Sequence, residues 1–148
     1  MKKVIILCSS LLTANLANAV PNFWKLDIAQ GSYIYQISDT QNSSLTISCY
    51  LGSEIATGQE LEVIHKGKEI QNTNKSTPLS FLIDDEESYR PLLKGGTYRD
   101  SMEWNEFVTV IPEAKKIDVY SNNKFLFTVK PKNSASEDIS DVSDCRIN

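Results

Sequence analysis

The segment Ser44–Leu51, with the sequence SLTISCYL, carries the clearest secondary-structure pattern in the chain. Apolar and polar residues alternate along it, so that one face would carry Leu45, Ile47, Cys49 and Leu51. A period of two is typical of a β-strand with one buried face. The pattern therefore predicts a strand that points Cys49 into the core, and a disulfide partner would have to reach the same face.

Short segments with the same period lie on both sides of this strand. Phe23–Ile28 and Tyr33–Ser38 precede it, and short polar turns separate the three segments, which predicts an antiparallel meander. Pro91 favours an edge position for its strand, because proline cannot donate to a neighbouring strand. Further strands are predicted at residues 61–65, 69–71, 79–83, 89–93, 116–121 and 124–130.

Two segments depart from the period of two. The first has one apolar helical stripe, formed by Trp104, Phe107, Val108 and Ile111. Asp100 and Glu103 fit a capping box that would begin this helix, and Pro112 would end it. The second segment starts with another capping box at Ser134–Glu137, and its apolar residues are Ile139, Val142 and Cys145. The spacing of three predicts a short helix that turns Cys145 inward.

These patterns predict an α+β fold. It would be a mainly antiparallel β-sheet of about eight strands, meander-like or sandwich-like, packed by one central helix and a short C-terminal helix. We expect a disulfide between Cys49 and Cys145 to tether that last helix, since both cysteines face the core.

The N-terminus has the pattern of a secretory signal peptide. Lys2 and Lys3 precede a short apolar stretch, and Ala17 and Ala19 supply the small side chains that signal peptidase needs. We therefore expect cleavage after Ala19, a leader at residues 1–19, and one globular domain at residues 20–148 in the periplasm or outside the cell. The alternative of a membrane anchor is weaker, because the apolar stretch is too short to span a bilayer.

Charge and length restrict the classes of function. The chain has 148 residues and a formal charge of −4, which argues against nucleic-acid binding through a basic surface. Loss of the leader would remove Lys2 and Lys3 but no acid, so the charge would become −6. No later stretch is long and apolar enough to predict a membrane span.

Few residues are candidates for catalysis or for binding a metal ion or an anion. The chain has one histidine, His65, which is expected at an exposed strand end, and zinc sites need three or four ligands. The loop Lys94–Thr97 could bind an anion through its backbone amides, although a plain loop explains it as well. The sequence therefore predicts no catalytic residue, no metal ion and no cofactor, and we expect a protein that is not an enzyme.

The candidate partner-binding residues form an acidic hairpin tip, Asp84, Asp85, Glu86 and Glu87. Clustered charge of one sign steers association with the opposite charge, so the partner would be a basic protein. The acidic tip has two other interpretations: it could be an exposed turn without a partner, or it could bind calcium. The hypothesis is an exported binding protein, for example an inhibitor or immunity protein against a cationic envelope-acting enzyme. A structural component of an envelope or surface assembly and a hydrolase with paired carboxylates are the alternatives.

Overall fold

The computed structural model describes residues 20–50, 59–91 and 97–147. In these ranges, nine strands form two antiparallel sheets. The five-stranded sheet has the order β1-β2-β3-β4-β5, with strands β1 (Lys25–Ala29), β2 (Ser32–Ser38), β3 (Ser44–Tyr50), β4 (Glu60–His65) and β5 (Lys68–Gln71). The four-stranded sheet has the order β7-β6-β8-β9, with strands β6 (Leu79–Ile83), β7 (Glu87–Tyr89), β8 (Ile117–Ser121) and β9 (Lys124–Val129).

One α-helix, α1 (Tyr98–Val110), connects the two hairpins of the second sheet. A 3₁₀ helix at Ile111–Glu113 continues it, and a second 3₁₀ helix at Ser140–Cys145 ends the described chain. The buried faces of both sheets and of α1 contribute to one hydrophobic core. The predicted α+β class is confirmed, and its strands are divided between two sheets.

The five-stranded sheet has the predicted meander and the predicted inward face. Leu45, Ile47 and Cys49 are each fully buried, and Tyr35 of β2 pairs with Ile47 in register. The first strand is shifted from its predicted position, since β1 begins at Lys25 rather than at residue 23. The period of two in residues 23–28 places Ile28 on the same face as Trp24, which is buried, but Ile28 is 62% exposed, because β1 forms the edge of the sheet.

Two-residue turns close three of the hairpins, at Gln30-Gly31, Lys66-Gly67 and Asn122-Asn123, and the three residues Asp84–Glu86 close the β6–β7 hairpin. Each of the two-residue pairs has positive φ at both positions, as type I′ turns require, and so does the pair Asp84-Asp85. The asparagine pair separates the strands predicted at residues 116–121 and 124–130, and asparagine tolerates positive φ better than most residues do. The aspartate pair is less usual, because aspartate adopts this conformation less readily than glycine does.

Helix α1 buries its predicted stripe but begins earlier than predicted. Trp104, Phe107 and Val108 are fully buried. The expected N-cap at Asp100 is wrong: Thr97 is the cap, and its Oγ1 accepts a 3.2 Å hydrogen bond from the Asp100 backbone amide. Asp100 lies in the first turn instead, where a negative charge is favourable beside the partial positive charge of the helix end.

The C-terminal helix is shorter than expected, and its predicted capping box is wrong. The Ser134 hydroxyl donates to the Ala114 carbonyl, 2.6 Å away, and the 3₁₀ helix at Ser140–Cys145 has no side-chain cap. Its inward face is as predicted, because Val142 and Cys145 are buried. A spacing of three residues is the period of a 3₁₀ helix, which explains the difference.

The two cysteines meet as predicted. The Cα atoms of Cys49 and Cys145 lie 5.6 Å apart, within the range that a disulfide spans, and both residues are buried. Asn105 of α1 binds the segment next to Cys145, since its Oδ1 accepts from the Ile147 amide and its Nδ2 donates to the Ile147 carbonyl. The β3 strand, the central helix and the C-terminal segment are thereby joined at one place.

Two asparagines fasten the beginning of the described chain to the segment after β9. The Asn22 carbonyl accepts from the Lys132 amide at 2.8 Å, and its Oδ1 accepts from the Lys130 amide at 2.9 Å. Asn133 binds both backbone groups of Trp24, with distances of 2.7 and 3.0 Å. We call these contacts the asparagine clasp.

The predicted leader at residues 1–19, with its cleavage site, lies outside the described residues.

Candidate partner-binding site

The acidic tip lies on the hairpin between β6 and β7, where the sequence predicts it. Asp84 and Asp85 are the central turn residues, with φ values of 54° and 63°, and Glu87 begins β7. Ile83 pairs with Glu87 across the hairpin. Strand β7 lies at the edge of its sheet, as predicted, but it ends at Tyr89, before Pro91, and so begins and ends earlier than the strand predicted at residues 89–93. The four carboxylates differ in their surroundings.

Asp84 has a structural role within the fold. Its Oδ1 accepts hydrogen bonds from the backbone amides of Lys115 and Lys116, at 2.9 and 2.7 Å. Its own amide donates to the Lys116 carbonyl at 3.0 Å. Asp84 therefore connects the hairpin tip to the segment that enters β8.

Asp85 belongs to a short charged network. The ammonium group of Lys116 lies 2.5 Å from Asp85 Oδ1 and 2.9 Å from Asp118 Oδ2. The hydrogen bond to Asp85 and then the one to Asp118 raise the pKa of Lys116, so this lysine stays charged. Thr128 donates to the second oxygen of Asp118, which is 6% exposed. The charge of Asp85 is therefore partly compensated.

Glu86 and Glu87 are the more available carboxylates of the tip. Both are exposed, and the Glu86 side chain has no hydrogen-bond or ion-pair partner among the residues that the structure describes. Glu87 accepts a 2.6 Å hydrogen bond from the Tyr89 hydroxyl. Burial, followed by this hydrogen bond and the charges of Glu87 and Glu106, raises the pKa of Tyr89 to about 12.

A groove beside the tip was not predicted from the sequence. It runs between β7 and the second half of α1 and comprises two adjoining cavities of about 540 and 430 Å³. Both cavities are lined by Glu87, Tyr89, Thr109 and Val110. The larger is also lined by Asn105, Glu106 and Arg146, and the smaller by Ile83, Asp84, Glu86 and Glu113.

Carboxylates dominate the charge of this groove. The larger cavity has Glu87 and Glu106 with Arg146 as its cation, and the smaller has Asp84, Glu86, Glu87 and Glu113 without a cation among its lining residues. A signal for this surface is present in the sequence, because residues 100–114 contain four acids and no lysine or arginine. The pairing of that helix face with β7 could not be predicted from periodicity alone.

A family model, described as YfjT, matches residues 22–137, which is most of the chain. The chain belongs to the YfjT family. Two proteins of Escherichia coli (strain K12), both named as uncharacterized, are similar along most of their lengths. YfjT is 24% identical over 145 residues, covering 95% of this chain and 92% of its own length. YkfB is 27% identical over 145 residues, covering 94% of this chain and 92% of its own length. No solved structure matches.

The YfjT match covers both sheets, the acidic tip and α1, whereas Cys145 and Arg146 lie beyond it. The names of the two relatives state no ligand or reaction. Membership of the YfjT family therefore relates this chain to those proteins without assigning a role to the groove.

His65 of this YfjT-family chain is less exposed than predicted. Its Nδ1 lies 2.9 Å from the hydroxyl of Ser43, which is buried, and its ring stacks on Phe127 with 5.8 Å between centroids. Ser43 precedes β3 and Phe127 lies on β9, so His65 connects the two sheets. Among the described residues, no group of three or more His, Cys, Asp and Glu side chains is arranged to hold a metal ion.

The pKa of the Glu62 carboxyl is raised above the usual value for glutamate. Burial is the main cause, followed by the charge of Glu69. Glu62 lies on β4 of the first sheet and does not line the groove.

The anion-binding interpretation of the loop before Thr97 concerns residues 94–96, which lie outside the described residues. No helix in the described ranges combines the length and apolar character of a membrane span.

Proposed function

We propose that this YfjT-family protein is an exported, non-enzymatic binding protein whose partner is a basic protein. The observation that carries the proposal is the exposed acidic surface formed by Glu86 and Glu87 of the tip with Glu106 of α1 and Glu113 of the 3₁₀ helix that follows it. A surface of one charge sign attracts the opposite sign over several ångströms and raises the rate of association.

The internal contacts of the tip support a binding role for a rigid element. Asp84 fixes the turn through two backbone amides, and Lys116 holds Asp85. Glu86 and Glu87 are therefore presented on an ordered turn. Less conformational entropy is lost when a partner binds charges that are already held in place.

Export is proposed on two features. The N-terminus has the charge, apolar stretch and small residues of a leader that ends at Ala19. Cys49 and Cys145 form a disulfide-compatible pair, and disulfides persist in oxidising compartments. In such a compartment, an inhibitor or immunity protein against a cationic envelope-acting enzyme is the most specific form of the proposal.

The proposal assigns no catalytic residue. Several groups that could do chemistry have partners within the fold instead. His65 is bound to Ser43 and stacked on Phe127, and Asp118 is bound to Lys116 and Thr128. These contacts support a structural use of those side chains.

The experiment is capture of a partner on the immobilised mature chain from periplasmic extract. We expect one basic protein to be retained at low salt and released at high salt, because exposed ion pairs are screened. The variant Glu86→Lys with Glu87→Lys should lose it. Asp84 is left unchanged, because its substitution would disturb the turn.

The matched control is Glu60→Lys with Glu137→Lys, which changes the net charge equally at exposed positions that do not line the groove. This control should retain the partner. Equal retention by the tip variant and the native chain would refute a role for the acidic surface. Turnover of a cell-wall or protein substrate by the purified chain would contradict the non-enzymatic assignment.

A further inference from the structure

The edge of the second sheet opens onto the groove. Strand β7 pairs with β6 on one side and has no strand partner on the other within the described ranges. Its residues Glu87 and Tyr89 line both adjoining cavities, together with Thr109 and Val110 of α1. An edge strand offers backbone hydrogen-bonding groups that an extended peptide can use, and specificity then comes from side-chain pockets.

The dimensions of the groove fit a short extended segment. Strand β7 has three residues, and a strand rises about 3.3 Å per residue, so the edge is about 10 Å long. Both cavities are lined by Glu87 and Tyr89 of this edge strand, and Glu113 lines one of them and Arg146 the other. A peptide segment of three or four residues would occupy the edge, and its side chains would alternate between the groove and solvent.

The lining of the groove fits long cationic side chains. Val110 and the ring of Tyr89 provide apolar surface, and Glu87, Glu106 and Glu113 provide carboxylates beside it. Lysine and arginine bury their methylene stems against apolar surface and keep their charge near polar groups. Arg146 lines the larger cavity and not the smaller one, so its charge would direct a cationic side chain towards the smaller cavity and the tip.

We propose that this groove receives an extended lysine- or arginine-bearing segment of a partner protein, which adds as a strand to the free edge of β7. This inference rests on the proposed function and names the part of the basic partner that is bound. In this arrangement the backbone of β7 provides affinity, and the carboxylates of Glu106 and Glu113 select a cationic segment.

The test uses the mature chain and a fluorescently labelled heptapeptide that alternates lysine with threonine. Threonine favours an extended conformation, and the alternation places all lysines on one side. Two control peptides separate the contributions: one carries glutamate in place of lysine, and the other keeps lysine but has N-methylated backbone amides. We expect binding of the lysine peptide, and loss of binding by about tenfold or more for each control peptide.

The protein variants separate the groove from general charge. Glu106→Lys with Glu113→Lys should weaken binding of the lysine peptide by about tenfold or more, because it places like charges beside the peptide. Glu60→Lys with Glu137→Lys has the same net charge and should bind nearly as the native chain does. In NMR spectra, the peptide should shift the amide signals of Ser88 and Tyr89, while those of β1, one of the two edge strands of the other sheet, should stay unchanged.

The outcomes are distinguishable from those of the capture experiment. Equal binding by the two double variants, or equal shifts at β1 and β7, would overturn the groove assignment. Tight binding of the N-methylated peptide would overturn strand addition. If a basic partner is captured and the Glu106→Lys, Glu113→Lys variant still retains it, the proposed function stands and the groove inference fails. If no partner is captured in a salt-dependent manner, the proposed function itself fails.

Discussion

The indole Nε1 of Trp104 donates a hydrogen bond of 2.8 Å to the backbone carbonyl of Cys145. Both residues are buried, and they lie 41 positions apart in the chain. The central helix therefore holds the same residue that Cys49 approaches from the first sheet. The C-terminal segment is fixed to the core by a side-chain hydrogen bond as well as by the cysteine pair.

Trp104→Phe should destabilise the fold. The substitution leaves the buried carbonyl of Cys145 without its donor, which costs about 1–3 kcal/mol, and it also reduces packing. The measurement is urea denaturation followed by far-UV circular dichroism. Trp24→Phe is the matched control, because Trp24 is buried but its Nε1 has no hydrogen-bond partner among the described residues. Equal losses of stability in the two variants would contradict the importance of the hydrogen bond.

Removal of the cysteine pair should lower stability more strongly. The two residues are 96 positions apart, and in the chain-entropy model a disulfide across such a loop contributes about 4–5 kcal/mol. We expect Cys49→Ala with Cys145→Ala to unfold at a much lower urea concentration than the oxidised native chain. Reduced native protein should resemble the double variant. Alkylation of two thiols in exported protein without prior reduction would show that the bond is absent.

Much of the core could be predicted from local periodicity. The alternation in β3 predicts the inward direction of Cys49, and the spacing around Trp104 predicts the buried face of α1, because both patterns depend on neighbouring residues alone. Cap positions were less predictable: Thr97 and Asp100 are both good cap residues, and backbone geometry selects Thr97. At Ser134, a tertiary contact with Ala114 replaces the expected cap.

The candidate site could be predicted only in part. The four acids at the tip are evident in the sequence, but the use of Asp84 depends on Lys115 and Lys116, which are more than thirty positions away. The groove depends on the packing of α1 beside β7. Periodicity identifies the buried face of a helix, but it does not identify the strand that lies next to its polar face.

Asp84→Ala should destabilise the hairpin more than Asp85→Ala. Both substitutions place alanine at positive φ, which is unfavourable for a residue with a β-carbon. Asp84→Ala also removes the acceptor for two backbone amides, and we expect an additional cost of about 1–3 kcal/mol. Thermal denaturation of the two variants measures the difference. Similar midpoints would show that Asp84 contributes little beyond its backbone conformation.

Glu62→Gln should stabilise the protein at neutral pH. Burial and Glu69 raise the pKa of Glu62 in the folded chain, so the folded state binds this proton more tightly than the unfolded state does. Stability that depends on Glu62 is therefore present at low pH and is lost as pH rises through the raised pKa. The glutamine variant should be more stable than the native chain at neutral pH, and the two should converge below the usual glutamate pKa of about 4.3.

The measurement is the free energy of unfolding of both proteins across this pH range. Glu137→Gln is the control, since it makes the same substitution at an exposed position. A gap between Glu62→Gln and the native chain that does not change with pH would contradict the explanation from protonation.

The asparagine clasp has a consequence for the order of assembly. Asn22 and Trp24 bind backbone and side-chain groups at residues 130–133, about a hundred positions later. During synthesis, Asn22 and Trp24 therefore emerge about a hundred residues before their partners do. A purification tag or fluorophore attached directly before Asn22 would therefore lie beside contacts that cannot form until residues 130–133 have been made.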